Sequence, residues 1–263
     1  PESQKSEPEI LLDSERCTGC GRCVDVCSTG ASVKTEKGVK INRKICIGCG
    51  KCVEACLNEA RILAGEEMTV EETVEEVAKD SLFYRNSGGG ITASGGEPLY
   101  QPTFLKNFLK SCQGKGLHTT LDTCGYAKAD KLGVILEYVN LVLFDLKHMD
   151  TEVHKKFTGV SNRLILSNLK KIIAFGTPVL VRFPVIPGCN DSEKNVRETG
   201  QFIADIGLKE VSILPYHRMG MGKYAKLGRK YPLESEIKSP SESDIEGIKI
   251  IFSQYGLECT VGS

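Results

Sequence analysis

The sequence predicts an α/β fold: a parallel sheet with crossover helices, either curled into a full or partial (βα) barrel or open and doubly wound, preceded by a small cysteine-rich α+β domain. Three observations carry that expectation. From residue 90 onward, short β-branched or apolar runs alternate with longer stretches of helical period, a pattern that demands right-handed crossovers and parallel strands. Eight of the twelve cysteines fall between residues 17 and 56. The chain has 263 residues, 40% apolar and 26% charged, enough to bury about three quarters of its unfolded surface in one large domain or two smaller ones.

Composition excludes several function classes. Lys plus Arg and Asp plus Glu number 34 each, so the formal charge is zero and no overall field gathers nucleic acid or an anionic membrane. No run approaches the roughly 18 apolar residues of a membrane span. No basic stretch followed by an apolar segment and a small-residue cleavage site opens the chain. Neither a nucleic-acid nor a membrane partner is expected. Clustered cysteines fit a cytoplasmic, reducing setting, where thiolates bind soft metal ions instead of pairing as disulfides.

Cys17, Cys20, Cys23 and Cys27 form C-x-x-C-x-x-C-x-x-x-C, and Cys46, Cys49, Cys52 and Cys56 repeat it 29 residues later. The repeat also matches Gly19 with Gly48, Gly21 with Gly50, Val24 with Val53 and Ala31 with Ala60. Zinc sites usually separate two C-x-x-C pairs by a longer loop, whereas three closely spaced thiolates plus a distant fourth suit the corners of a cubane. Residues 33–45, with Val33, Val39 and Ile41 around Lys37-Gly38, predict a hairpin between the two loops. The small domain ends near Leu63 to Glu67.

A helix opens at Thr69, with Glu72 three places on in a capping-box pattern. Val70, Val74 and Val77 share one face, and Glu71, Glu72, Glu75 and Glu76 make a solvated one. Strands follow at 90–94, 117–122, 141–146, 179–185, 211–215 and 258–261. Helices lie between them near 102–114, 128–138, 164–175, 194–206 and 242–255. Such a sheet either curls into a full or partial barrel or stays open and doubly wound, and in each case its chemistry belongs at the strands' C-terminal ends.

Polar residues recur at those ends. Ser94-Gly95-Gly96-Glu97-Pro98 follows the first strand, and Asp122 and Thr123 end the second. Asp145 and Lys147 end the third, Arg182 lies in the fourth, and His217 follows the fifth. Mixed charges at one rim suit a ligand bearing an ammonium, a carboxylate and hydroxyls better than a phosphate, which needs a positive cradle. Each residue also has a plainer role. Glu97 would cap the helix after Pro98, Asp145 and Lys147 would pair, Arg182 would bridge internally, and His217 would be a core histidine. His118, His148 and His154 read as ordinary structural or surface residues, and Cys112, Cys124, Cys189 and Cys259 as small buried apolar residues. Gly220 to Tyr231 reads as either a solvated loop or a lid.

The cysteine repeat resembles bacterial two-cluster ferredoxins, in which the fourth cysteine of each run crosses to the other cluster. That resemblance implies one [4Fe-4S] cluster on Cys17, Cys20, Cys23 and Cys56 and another on Cys46, Cys49, Cys52 and Cys27. The usual proline after the fourth cysteine is Ser28 in one run and Leu57 in the other, which leaves ligation intact and alters the turn. Residues 68–263, with GGEP, Asp122-Thr123-Cys124-Gly125-Tyr126, Asp145-Leu146-Lys147 and Pro187-Gly188-Cys189-Asn190-Asp191, resemble radical S-adenosylmethionine (SAM) enzymes. Phe157-Thr158-Gly159-Val160-Ser161-Asn162 and Leu214-Pro215-Tyr216-His217 narrow the resemblance to activating enzymes of glycyl radical enzymes that carry a ferredoxin-like insert.

The resemblance implies a linker at 1–14, a ferredoxin-like two-cluster domain at 15–66 and the radical SAM partial barrel at 67–263. It implies reductive cleavage of SAM to a 5′-deoxyadenosyl radical, which takes hydrogen from a glycine of a partner glycyl radical enzyme. Flavodoxin or a ferredoxin-type protein would be the reductant, and the two insert clusters would carry electrons. Gly95, Gly96 and Glu97 would receive the methionine ammonium group. Asp122, Thr123 and Asp145 would surround the carboxylate and ribose, with a monovalent cation nearby in some relatives. Lys147 would face the carboxylate, and Arg182 and His217 the carboxylate and nucleoside. The family's C-x-x-x-C-x-x-C loop precedes the insert and is absent from these 263 residues, so a third [4Fe-4S] cluster is expected only in an intact parent and the chain as written is expected to be inactive. An electron-transfer module without radical chemistry, or a radical SAM enzyme acting on another substrate, are the competing readings.

Overall fold

The computed structural model describes residues 7–36, 38–233 and 237–262. It divides into two compact units, Pro1–Glu67 with Met219–Ser235, and Met68–Arg218 with Glu236–Ser263. Among the described residues no helix is long and apolar enough to cross a membrane.

The smaller unit opens with strand β1 (Glu9–Leu12), helix α1 (Arg22–Asp25) and the hairpin β2 (Ser32–Thr35) and β3 (Gly38–Ile41); Lys37, expected at its turn, lies outside the described residues. Helix α2 (Lys51–Glu54) and strand β4 (Arg61–Ala64) complete the repeat. The hairpin strands are shorter than the expected 33–45, because residues 43–45 turn back into the second cysteine loop. Residues 9–12, read from sequence as part of a linker, instead pair antiparallel with β4, Ile10 against Leu63 and Leu12 against Arg61. Ile10, 1% exposed, supplies the apolar anchor that makes this segment part of the unit.

The larger unit begins with α3 (Val70–Ala78), whose capping box at Thr69 and Glu72 forms as the sequence pattern requires. Val74 is buried and Glu71, Glu72, Glu75 and Glu76 are exposed, as expected of a solvated face. Then follow α4 (Ser81–Ser87), β5 (Gly90–Ala93), α5 (Pro102–Gly114), β6 (His118–Thr123), α6 (Ala129–Leu136), β7 (Leu141–Asp145), α7 (Thr151–Thr158), α8 (Arg163–Phe175), β8 (Val179–Val185), α9 (Glu193–Asp205) and β9 (Glu210–Pro215). The chain leaves this unit for α10 (Met221–Lys226) and returns for α11 (Glu242–Ser253) and β10 (Glu258–Val261).

The strands β5 to β10 form one six-stranded sheet in chain order, and every neighbouring pair is parallel. A doubly wound sheet reverses its strand order at a switch point; this one does not, so every crossover steps in the same direction. That is the winding of a partial barrel. Period-2 alternation sends Leu121, Val142, Phe144, Val181, Phe183, Val185, Val211 and Ile213 to one face, all at most 1% exposed. Leu109, Ile135, Leu169, Ile172, Ile203 and Phe252 belong to the same apolar core. The other face carries Asp122, Asp145 and Arg182 in adjacent strands.

Phe183 sits in the middle of this core, edge-on to Phe252 with ring centroids 5.6 Å apart. Phe183→Ala is expected to cost about 3–5 kcal/mol, read as a lower denaturation midpoint at unchanged cluster content.

Candidate active site and cluster-binding loops

The repeat of the smaller unit extends to backbone geometry. Helices α1 and α2 are each one turn long, entered through Gly21 and Gly50 with φ of 89° and 77°. Cys27 N–H donates to Val24 O at 3.1 Å and Cys56 N–H to Val53 O at 3.0 Å. Three residues past each fourth cysteine the chain is left-handed: Gly30 has φ 67° and its counterpart Glu59 φ 49°, the one non-glycine with positive φ among the described residues. An L-residue there costs roughly 1–2 kcal/mol, so the loop geometry overrides the preference of the residue that occupies it.

These loops bring the eight thiols together in two sets. One cavity is lined by Cys17, Cys20, Cys23 and Cys56, and a second by Cys27, Cys46, Cys49 and Cys52. Each set is thus three cysteines of one run with the fourth of the other. Backbone amides point at the crossing thiols, Ser32 N–H to Cys27 Sγ at 3.4 Å and Ala60 N–H to Cys56 Sγ at 3.3 Å. The amide of Ser32 is the largest of the influences that pull the Cys27 thiol down to about 7. Among the described residues no three His, Cys, Asp or Glu side chains gather tightly enough for a single metal ion. A cubane has a different requirement, since each thiolate binds a separate iron and the four must surround a volume. The residues fit that group: two thiol-lined cavities, with amide donors aimed at sulfur.

The segment after β9 also belongs to the smaller unit. Arg43 donates from Nη1 to Ile10 O at 2.9 Å and from Nη2 to Lys226 O at 3.0 Å. Lys226 pairs with Asp13 at 2.8 Å and Arg229 with Glu9 at 2.5 Å. Residues 220–231, read from sequence as a loop or lid, are therefore a strap held on β1 by ion pairs.

On the larger unit the strand-end polar residues form a connected network. Arg182 donates from Nε to Asp145 Oδ1 at 2.9 Å, and its Nη2 reaches Asp145 and Asp122. Lys147 Nζ pairs with Asp145 Oδ2 at 3.3 Å, and Ser94 Oγ donates to Asp122 Oδ2 at 3.1 Å. The Arg182 side chain is 13% exposed and that of Lys147 38%, so the lysine is the more accessible cation. The Asp145–Lys147 pair and the internal Arg182 bridges, offered from sequence as plainer roles, are both present. His217 is exposed just beyond β9, not a core residue.

Glu97 joins two rim loops. Its Oε1 accepts from Leu99 N at 3.1 Å and Thr123 Oγ1 at 2.6 Å, and its Oε2 from Cys124 N and Sγ, each at 3.0 Å. It therefore caps the short helical turn at Pro98–Tyr100 and also clamps the loop after β6. Gly95 and Gly96 precede it in an exposed turn, Gly95 with φ 126°. Gly125 is confined twice over: φ is 69°, and a Cβ would lie 2.5 Å from the Phe144 ring.

Sequence reasoning missed the buried asparagines beneath these loops. Asn168 Nδ2 donates to Gly125 O and Ala127 O, both at 2.8 Å. Asn162 Nδ2 donates to His148 O at 3.0 Å and Met149 O at 2.6 Å, and Asn190 Nδ2 to Lys147 O at 3.0 Å. Asn195 accepts from Met149 N at 2.9 Å and donates to Asn190 O at 2.7 Å. An amide side chain offers both donors and an acceptor, so it replaces the ladder that irregular backbone lacks. The available signal was Asn162 and Asn190 within motifs already singled out. His154 is buried, with Nδ1 2.8 Å from Val160 O, a structural histidine as expected. Cys112 is fully buried, but Cys124 departs from the inert reading by donating its thiol to Glu97.

With the geometry in place, comparison with known proteins defines the class. The profile of the radical SAM superfamily matches residues 42–199, and that of the 4Fe-4S dicluster domain residues 9–57. The chain belongs to the radical SAM superfamily, whose members use SAM with a [4Fe-4S] cluster, here together with ferredoxin-type clusters. Within it, the chain is a member of the glycyl radical enzyme activating enzymes with a ferredoxin 4Fe-4S domain. It is 41% identical over 265 residues to the trans-4-hydroxy-L-proline dehydratase activating enzyme of Clostridioides difficile, covering 100% of this chain and 87% of that protein. It is 38% identical over 268 residues to the choline trimethylamine-lyase activating enzyme of Oleidesulfovibrio alaskensis, covering 99% and 86%. A solved domain of pyruvate-formate lyase-activating enzyme from Bacteroides vulgatus superposes with a TM-score of 0.57 at 34% identity, covering 67% of this chain and all of that one. Relatives match the chain along its whole length, so the expectation of an inactive chain gains no support from them.

Burial, and next the Glu97 carboxylate, push the Cys124 thiol up to about 11. Cys124 is therefore expected to resist iodoacetamide at pH 8. Glu97→Gln removes the negative charge and lowers that value, so mapped alkylation should become faster; equal rates in the two proteins would contradict the Glu97–thiol contact.

Proposed function

We propose that this protein reductively cleaves SAM to a 5′-deoxyadenosyl radical and uses it to abstract hydrogen from a glycine of a partner glycyl radical enzyme. The observation that carries the reading is the pairing of a mixed-charge rim at the strand ends with two crossed cysteine quartets in one chain. When bound, the clusters supply single electrons and SAM supplies the radical precursor. The catalytic cluster, with one iron open to SAM, would be separate from these two quartets.

This chain's residues then have distinct tasks. Cys17, Cys20, Cys23 and Cys56 hold one ferredoxin-type cluster, and Cys27, Cys46, Cys49 and Cys52 the other. The turn at Gly95 and Gly96 offers backbone to the methionine ammonium group without an intervening Cβ, and Glu97 fixes that turn against Thr123 while adding negative charge beside it. Asp122, Thr123 and Asp145 line the carboxylate and ribose, and a monovalent cation is assigned beside them. Lys147 pairs only with Asp145 among the described residues and is the more exposed cation, which suits it to meet the ligand's carboxylate. Arg182 holds the two aspartates in place more than it contacts ligand, because its Nε and Nη2 are already directed at them. His217 is the outermost candidate for a nucleoside contact. A flavodoxin or ferredoxin-type protein supplies the electrons.

The test is electron paramagnetic resonance after anaerobic reconstitution with SAM, a low-potential reductant and a co-encoded glycyl radical enzyme. A glycyl doublet on the partner is expected; its absence with every co-encoded candidate would overturn the activation reading. Cys20→Ala should lower iron by about four per chain. Glu97→Gln should leave iron unchanged and weaken SAM binding roughly tenfold to a hundredfold, the loss of one charge-assisted hydrogen bond. Full iron in the first variant, or unchanged affinity in the second, would refute the corresponding assignment.

A further inference from the structure

Arg61 opens β4 at the position of the repeat that Ser32 occupies in β2, 29 residues earlier. The two equivalent positions touch: Arg61 Nη1 donates to Ser32 Oγ at 3.0 Å. Arg61 is 2% exposed, and it borders both thiol-lined cavities. Its Nη2 is buried without a hydrogen-bond partner, and among the described residues no carboxylate pairs with it. A guanidinium buried without a counter-charge is strongly disfavoured unless something anionic meets it. What it faces from both sides are cysteines of the two quartets.

We propose that Arg61 is the shared counter-charge of the two ferredoxin-type clusters, its free Nη2–H donating to a cluster or cysteinyl sulfur. The inference rests on the two-cluster reading above. A cubane held by four thiolates is anionic and gains one further negative charge on one-electron reduction, with no bond made or broken. A cation fixed beside it in a low-dielectric setting stabilises the reduced form more than the oxidised one. Arg61 therefore raises the reduction potential of both sites, and it offsets the repulsion between them when both are charged. Ser32 positions it: the single hydroxyl acceptor holds Nη1 and leaves Nη2 directed at the cavities.

The experiment is a potentiometric titration of the insert clusters in reconstituted wild-type, Arg61→Lys and Arg61→Gln protein, followed by electron paramagnetic resonance, with iron counted in each. Arg61→Gln is expected to shift the midpoints to more negative values at wild-type iron content, and Arg61→Lys, which keeps the charge, to shift them less. Unchanged midpoints in iron-replete Arg61→Gln would overturn the proposal. If that variant fails to load iron, the wild type decides: with arginine labelled by 15N, pulsed resonance of the reduced clusters should show an arginine nitrogen coupling that Arg61→Lys lacks. Absence of that coupling in the wild type would overturn the proposal equally. Wild-type protein without the roughly eight irons of two clusters would instead remove the reading on which the inference stands, a separate outcome.

Discussion

The larger unit depends on one guanidinium. Arg182 lies on the polar face of β8 and reaches Asp145 on β7 and Asp122 on β6. Two carboxylates on neighbouring strands at the same rim repel, and both are mostly withdrawn from water. A single planar cation with several donors satisfies both at once, which a lysine ammonium matches less well in geometry. With that link made, the strand ends are tied together, and the loops carrying Gly95, Cys124 and Lys147 start from defined points. The rim is thus an electrostatic construction on one side of a sheet whose other side is packed mostly by apolar side chains.

The loops beyond those strand ends obey a second constraint. Irregular backbone needs partners for its N–H and C=O groups, and here side-chain amides supply them. Asn162, Asn168, Asn190 and Asn195 are all buried, and all bond to loop backbone. A rim built this way is held at many points, though its backbone is irregular. The smaller unit solves the corresponding problem with short hydrogen-bonded turns repeated twice, and with a strap whose basic residues close on acidic residues of β1 and its following turn.

Much of this was legible in the chain. The strand and helix periods placed the whole parallel sheet, because buried parallel strands write continuous apolar runs that loops do not. The cysteine spacing announced the quartets, since a repeat of that density has few other uses. What stayed hidden depends on distant partners. Glu9–Leu12 is too short and too mixed to read as a strand until β4 is beside it. The strap looked like a free loop because ion pairs such as Arg229 with Glu9 join residues 220 apart in sequence. Helix α7 is charged along much of its length, so Val153 and Phe157, four apart, were its only apolar signal, although Asp150 caps it. Glu97 was read as either cap or site residue, and the geometry gives it the first role without removing it from the second.

Glu59 holds a backbone angle that Gly30 adopts more easily, because the repeat imposes one turn on both loops. Two loops of one geometry make two sites that are alike except where their side chains differ. Any downhill direction for charge moving between such twins must come from the positions at which the two copies differ. Ser28 against Leu57, Thr29 against Asn58 and Ser32 against Arg61 are such positions. The scaffold is a matched pair, and its polarity is written in a handful of side chains that break the match.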